Sequence, residues 1–184
     1  MEIVRRPITV EEYTKMAERG ILDPDERVEL LDGDIVVVPP QGEGHFSVVA
    51  RLNWHLTTRF GKRVLVTVQQ PVIVSERSEP EPDIALLFLR DDFYRSGIPR
   101  TSDVFAMVEV ADSSIRVDRG IKLRIYAEAG VPDYWIVDVK RERIEVYRDP
   151  ADGVYGSLTT LRRGETVAFL AFPDELFAVE ELIG

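Results

Sequence analysis

Apolar and polar positions along this chain recur with two periods, close to two and close to 3.6, and each period marks a kind of element. Thr9-Val10-Glu11-Glu12 has the capping-box pattern, with Thr9 as N-cap and Glu12 at the third helical position. It predicts a short helix to about Glu18, stopped by Gly20. Arg27–Leu31 and Ile35–Val38 flank Asp32-Gly33-Asp34, a hairpin signal, because Asp-Gly accepts the positive φ of a tight turn. Pro39-Pro40 ends the second strand. From His45 to Phe60, Val48, Val49, Leu52 and Leu56 fall on one stripe, which predicts an amphipathic helix ended by Gly61. Val64–Val68, Pro71–Val74 and Asp83–Leu89 read as strands, the last two separated by a polar turn over 75–82.

A loop over 90–103 leads to a strand at Val104–Val110, and Asp118–Ala129 is the second main helix, with Gly130 and Pro132 as its stop. Tyr134–Val139 and Arg143–Tyr147 form a further strand pair. Two short strands, Ser157–Leu161 and Thr166–Leu170, precede a terminal helix from about Pro173. The strand–helix–strand passage from Val104 to Val139 implies a parallel crossover, so the sheet should be mixed. No internal repeat, low-complexity run or linker breaks the chain. A length of 184 residues matches one domain over 1–184, of the α/β (α+β) class.

Composition narrows the function. With 45% hydrophobic and 30% charged residues the chain is ordinary for a globular protein and too apolar for a disordered one. It has no cysteine, which excludes disulfide frameworks, zinc–cysteine sites and thiol catalysis. The apolar runs Ile35–Val38 and Ile84–Leu89 are too short for a membrane span, and Met1–Arg6 has no apolar signal core, so the cytoplasm is the expected compartment. The formal charge of −10 counts against coating nucleic acid by bulk positive charge. It leaves room for a local phosphate site, because clustered carboxylates can hold divalent cations and invert the local field.

The sharpest local signal is Glu109, a charge inside the apolar run Phe105–Ala111. Such a placement is costly unless the charge is paired or bound to a metal. Asp83 opens one strand, and Glu109 lies near the end of the next. Should the second return antiparallel, both acids meet at one sheet edge, with strands about 4.8 Å apart. Lys122, one turn into the following helix, could reach back over that edge. Glu29 sits in Arg27-Val28-Glu29-Leu30-Leu31, whose alternation aims Arg27 and Glu29 at one face. An oxygen-rich site of this kind suits Mg²⁺ or Mn²⁺.

Pro82-Asp83 followed by Glu109-Val110-Ala111 resembles the split signature of the PD-(D/E)XK superfamily of restriction-endonuclease-like nucleases. The stretch from Val108 to Ser114, then Asp118 and Lys122, then Tyr126 to Asp138, is similar to the Uma-type family within it. So are Arg27–Asp34, Pro39-Pro40 and His45. The resemblance runs from about Thr9 to Tyr147. It implies a mixed central sheet flanked by helices, with Asp83 and Glu109 as metal ligands and Glu29 as an acidic residue from an earlier element. It further implies Mg²⁺ or Mn²⁺ as cofactor, DNA as substrate, and self-association as a homodimer or larger homo-oligomer, since paired sites match two strands. Where the superfamily has a lysine two residues after the glutamate, this chain has Ala111; in the Uma-type family that lysine sits in the following helix, which points to Lys122.

Each residue has a plainer reading. Asp83 could be a turn aspartate, Glu109 a paired structural acid, Lys122 a solvated lysine paired with Asp118, and Glu29 an exposed strand residue. His45 suits a cap or a support for a neighbouring group, and His55 a helix surface. Tyr134 and Trp135 suit the core, and Arg116, Arg119 and Arg124 either phosphate contacts or a solvated face. A nuclease-like binding or assembly module without turnover, and a metal-dependent hydrolase of small phosphate esters, are the rival functions.

Overall fold

Asp-Gly dipeptides set two hairpins in the computed structural model, which describes residues 6–184. The first joins β1 (Val28–Leu31) to β2 (Asp34–Val37), with Leu31 paired to Asp34 across Asp32-Gly33. Both turn residues have positive φ, 50° and 84°, the type I′ geometry that matches strand twist. Gly33 is needed twice over, since a Cβ there would lie 2.3 Å from Pro7 Cβ. The second hairpin joins β7 (Arg143–Ala151) to β8 (Val154–Arg162) across Asp152-Gly153, φ 50° and 77°. These strands are longer than the apolar pattern predicted, because the tight turn carries pairing past the apolar stretch.

The main sheet has six strands in the order β3 (Val64–Val68), β4 (Ile84–Phe88), β5 (Val104–Ala111), β6 (Asp133–Asp138), β7, β8. Only the β5–β6 contact is parallel, so the sheet is mixed, as the crossover required. Alternation along β5 sends Ala106, Val108 and Val110 to one face, against α2 (Glu43–Phe60) and the small C-terminal helix α5 (Val179–Ile183). Met107, Glu109 and Ala111 point to the other face, where Met107 and Ala111 join Leu31, Ile125, Tyr126 and Tyr134. Trp135 and Tyr134 are both fully buried, one on each face, as core residues.

The crossover helix runs over 115–128 and begins before Asp118. It consists of α3 (Ile115–Val117), a π-turn at Asp118–Lys122, and α4 (Leu123–Glu128), with Gly130 (φ 76°) ending it. α1 (Val10–Glu18) carries the predicted capping box on Thr9 and Glu12. Two expectations are corrected. Pro71–Val74 is not a ladder strand: Val72 N and Val74 N bond back to Pro80 O and Ser78 O, and Ile73 makes only an isolated bridge to Arg100. Pro71, Pro80 and Pro82 remove the donors a longer ladder would need. Near the C-terminus, only β9 (Thr166–Val167) is a strand of the expected Thr166–Leu170 run. It pairs with β10 (Phe177–Ala178), and the last helix starts at Val179 rather than Pro173, because Phe177 is drawn into the core as a strand residue. Among the described residues, no helix is long and apolar enough to cross a membrane.

The hairpin β1–β2 leans on the segment 75–82, where Glu79 N donates to Leu30 O at 2.8 Å. The Glu79 side chain is buried there, and its Oε2 has no hydrogen-bond partner. Burial, and then the charge of Glu81, raises its pKa from 4.5 to about 7. Between those two values the folded chain holds a proton that the unfolded chain has lost, so this group's stability contribution falls as pH rises through that window. Glu79→Gln is expected to raise the unfolding free energy by about 1–2 kcal/mol at pH 8 and to leave it nearly unchanged at pH 4. Urea titrations at the two pH values check this; an equal effect at both would contradict it.

Candidate active site

Strand register builds the site. Val68 pairs with Ile84, and Ile84 with Val108. One step further along the same rows, Gln69, Asp83 and Glu109 follow one another across the ends of β3, β4 and β5. The two acids therefore meet at one edge of the sheet, as the antiparallel return required. Asp83, Glu109, Glu29 and Lys122 all line a single pocket, together with Arg27, His45 and Asp118. All four of the expected site residues are buried.

Lys122 is the hub. Its Nζ lies 2.9 Å from Glu109 Oε1 and 3.0 Å from Glu29 Oε2. Tyr126, one turn along the helix, donates its hydroxyl to the same Glu109 oxygen at 2.8 Å. Lys122 is thus neither solvated nor ion-paired to Asp118, whose carboxylate instead takes the Ser114 hydroxyl. Asp118 is nonetheless 1% exposed and lines the pocket, because the π-turn that begins at Asp118 and ends at Lys122 buries both.

Asp83 is held by a different set. Oδ2 accepts from Val110 N at 2.8 Å and faces His45 Nε2 at 2.9 Å. Oδ1 accepts from Gln69 Nε2 at 3.0 Å, and Gln69 also donates to Gln41 Oε1 at 2.8 Å. Gln69 adopts φ +51°, a left-handed backbone conformation that costs a residue with a Cβ and that clusters at functional sites. Its own N–H bonds back to Pro82 O and Asp83 O. The strain is offset by contacts that all serve Asp83.

Charge is unbalanced here. Burial pushes the Glu109 carboxyl well above the usual carboxylate range; Asp118, Asp83 and Glu29 add to the rise and Lys122 opposes it. Burial likewise raises Asp118 to about 6, against Lys122 and the Ser114 hydroxyl. For Lys122, burial acts to lower its pKa, but Glu109, Glu29 and Asp118 outweigh it and hold the ammonium charged. For Asp83, burial acts upward, and the His45 contact followed by the Gln69 and Val110 donors brings it below its ordinary value.

Four buried carboxylates therefore face one ammonium, and such an excess is what a divalent cation would neutralise. Among the described residues, no group of three or more His, Cys, Asp or Glu side chains is gathered tightly enough to hold an ion unaided. Mg²⁺ does not need that many, since it keeps several waters and binds through one or two carboxylates plus substrate phosphate. The oxygen donors at this sheet edge fit it.

Sequence reasoning missed Gln41 and Gln69, and named Asp118 and Tyr126 only within the family resemblance or as a pairing partner, not as site residues. Tyr126 stands four residues after Lys122, and that spacing alone puts both on one helix face; the glutamines gave no signal. Arg119 and Arg124 are structural: Arg119 binds Glu145 and Asp138, and Arg124 binds Asp32 and Glu128. Arg116 is exposed, and His55 is part-buried on α2, outside the pocket lining.

A family model described as "Uma2: Putative restriction endonuclease" matches residues 10–180. The fold is similar to that of a crystal structure described as "a putative nuclease belonging to DUF820", from Anabaena variabilis, at a TM-score of 0.72 and 16% identity, covering 96% of this chain and 98% of that one. No curated protein matches.

Removing one partner of a buried ion pair leaves the other charge uncompensated. Lys122→Met is expected to lower the unfolding free energy by about 3–5 kcal/mol in EDTA. Adding Glu109→Gln to that variant is expected to restore ~1 kcal/mol or more. Denaturant titration of the single and double variants decides this, and a harmless Lys122→Met would mean that the ammonium is solvated.

Proposed function

The chain belongs to the Uma2 family, described as putative restriction endonucleases, and from that premise we propose that it is a metal-dependent endonuclease hydrolysing DNA phosphodiester bonds. The observation that carries the reading is the convergence of Asp83, Glu109 and Glu29 on one pocket with Lys122 between two of them. Asp83 and Glu109 would hold Mg²⁺ or Mn²⁺, with Glu29 in support. The cation, when bound, polarises the phosphoryl group and makes water a better nucleophile.

The chain's own residues do the rest. His45, Gln69 and the Val110 N–H fix both oxygens of Asp83, so its direction toward the site is set before substrate arrives. Tyr126 and Lys122 both hold one oxygen of Glu109, Oε1. Lys122 stays protonated among the acids, so its role is electrostatic; it stabilises charge developing on the phosphate and does not accept a proton. Water adds to phosphorus and gives up a proton to solvent, the strand's ester oxygen leaves and takes a proton from solvent, and no covalent enzyme intermediate is needed.

Asp83→Asn and Glu109→Gln are each expected to lower Mg²⁺-dependent cleavage by about 10²-fold or more while thermal unfolding stays cooperative. A purified double variant that still cuts DNA refutes the site. Calorimetric titration of the intact protein with Mg²⁺ and Mn²⁺ separates this reading from a binding module without turnover, which predicts no heat at the acids. A preference for mononucleotide esters over DNA in a substrate panel would point to a small-ester hydrolase.

A further inference from the structure

The pocket has two halves of opposite character. One is the carboxylate edge. The other is an apolar wall, formed by the consecutive residues Val36 to Pro40 of the hairpin and its exit, with Val117 also lining the space. Val37 and Val117 are 56% and 38% exposed, so the wall is uncovered. The cavity between the halves has a volume of about 180 Å³ and opens to solvent, so a ligand held there is only partly enclosed.

Basic groups free to grip a backbone are scarce around it. Arg27 and Lys122 are the basic residues lining the pocket; Arg27 lies 3.8 Å from Glu81, and Lys122 is held by Glu29 and Glu109. Close by, Lys140 is paired with Asp112, as Arg119 and Arg124 are with their own acids, and exposed Arg116 stands beside Val117. Duplex DNA presents one charge per about 1.7 Å, and proteins that hold it neutralise many phosphates at once. This surface offers few such contacts. With a divalent cation at the acids, it would offer a place for one phosphate beside an apolar wall.

That pairing of chemistries is an unpaired nucleotide. We propose that the pocket accepts a single unpaired nucleotide of a nucleic-acid strand, its base against Val37 and Val117 and its phosphate toward Asp83 and Glu109. The proposal rests on the endonuclease reading and specifies its substrate as single-stranded or locally unpaired. A base inside a duplex is stacked and paired, and reaching this wall requires that it first be flipped out; a single strand meets no such barrier.

The test measures binding rather than cutting. Fluorescence anisotropy in Ca²⁺ compares one labelled sequence as a single strand, as a perfect duplex, and as a duplex with one unpaired nucleotide. The single strand and the bulged duplex are expected to bind at least about tenfold tighter than the perfect duplex. Val37→Asn with Val117→Asn, both at exposed positions, is expected to weaken single-strand binding about tenfold while the calorimetric Ca²⁺ affinity is unchanged. Val37→Ile should retain binding. Equal or tighter binding of the perfect duplex, or an unaffected Asn double variant, overturns this proposal and leaves the endonuclease reading standing. Absence of both Ca²⁺ heat and binding to any oligonucleotide overturns both.

Discussion

A single ammonium group, Lys122 Nζ, sits between carboxylates that belong to different parts of the chain. Glu29 comes from the hairpin, Glu109 from the central sheet, and the lysine from the crossover helix. Each of these charges would be expensive to bury alone, so none of the three elements can leave without exposing the others' cost. The position of the hairpin over the sheet's end follows from that tie, together with the Leu30–Glu79 bridge beneath it. The apolar wall from Val36 to Pro40 exists as one side of a pocket only because the hairpin is held there.

Other buried acids in this protein show what a structural solution looks like. Asp133 is fully buried and bound by Arg148, the Trp135 indole N–H and Leu170 N. Asp138 and Glu145 share Arg119 and Arg143, with Arg141 also on Asp138. In those networks arginine is plentiful, and its planar fork satisfies carboxylate oxygens in pairs. At the pocket the ratio is inverted. Glu29, Asp83, Glu109 and Asp118 have one lysine among them, and Asp83 is held by His45, Gln69 and the Val110 N–H. A chain able to neutralise its buried acids elsewhere leaves these short of positive charge, and the proposed metal site rests on that difference.

How much of this could be read beforehand depended on the distance over which each cause acts. Asp32-Gly33 announced its hairpin because the requirement, positive φ at two residues, is local. Asp152-Gly153 meets the same requirement with an equally local signal, and it went unread because the flanking residues, Pro150 and Tyr155 among them, do not alternate cleanly. Glu109 was legible because one charge in an apolar run has few explanations. Gln69 was not, for its role comes from lying across the sheet from Asp83, which depends on the register of β3 on β4. The π-turn was invisible for a related reason. A helix widens by one residue to suit what it packs on, and periodicity in the sequence extends straight through it.

Ala111 and Lys122 are two ends of one arrangement. Ala111 is 1% exposed, on the same face as Glu109, and pairs in register with Asp138 of β6. Tyr126 and Lys122 reach Glu109 from the helix packed on that face. The ammonium beside Glu109 comes from the helix, while the strand supplies only a buried methyl group at 111. Moving the ammonium from strand to helix makes the charge of the site a property of helix packing. Changes at that helix–sheet contact, some distance from any phosphate, would then act on chemistry through the position of one nitrogen atom.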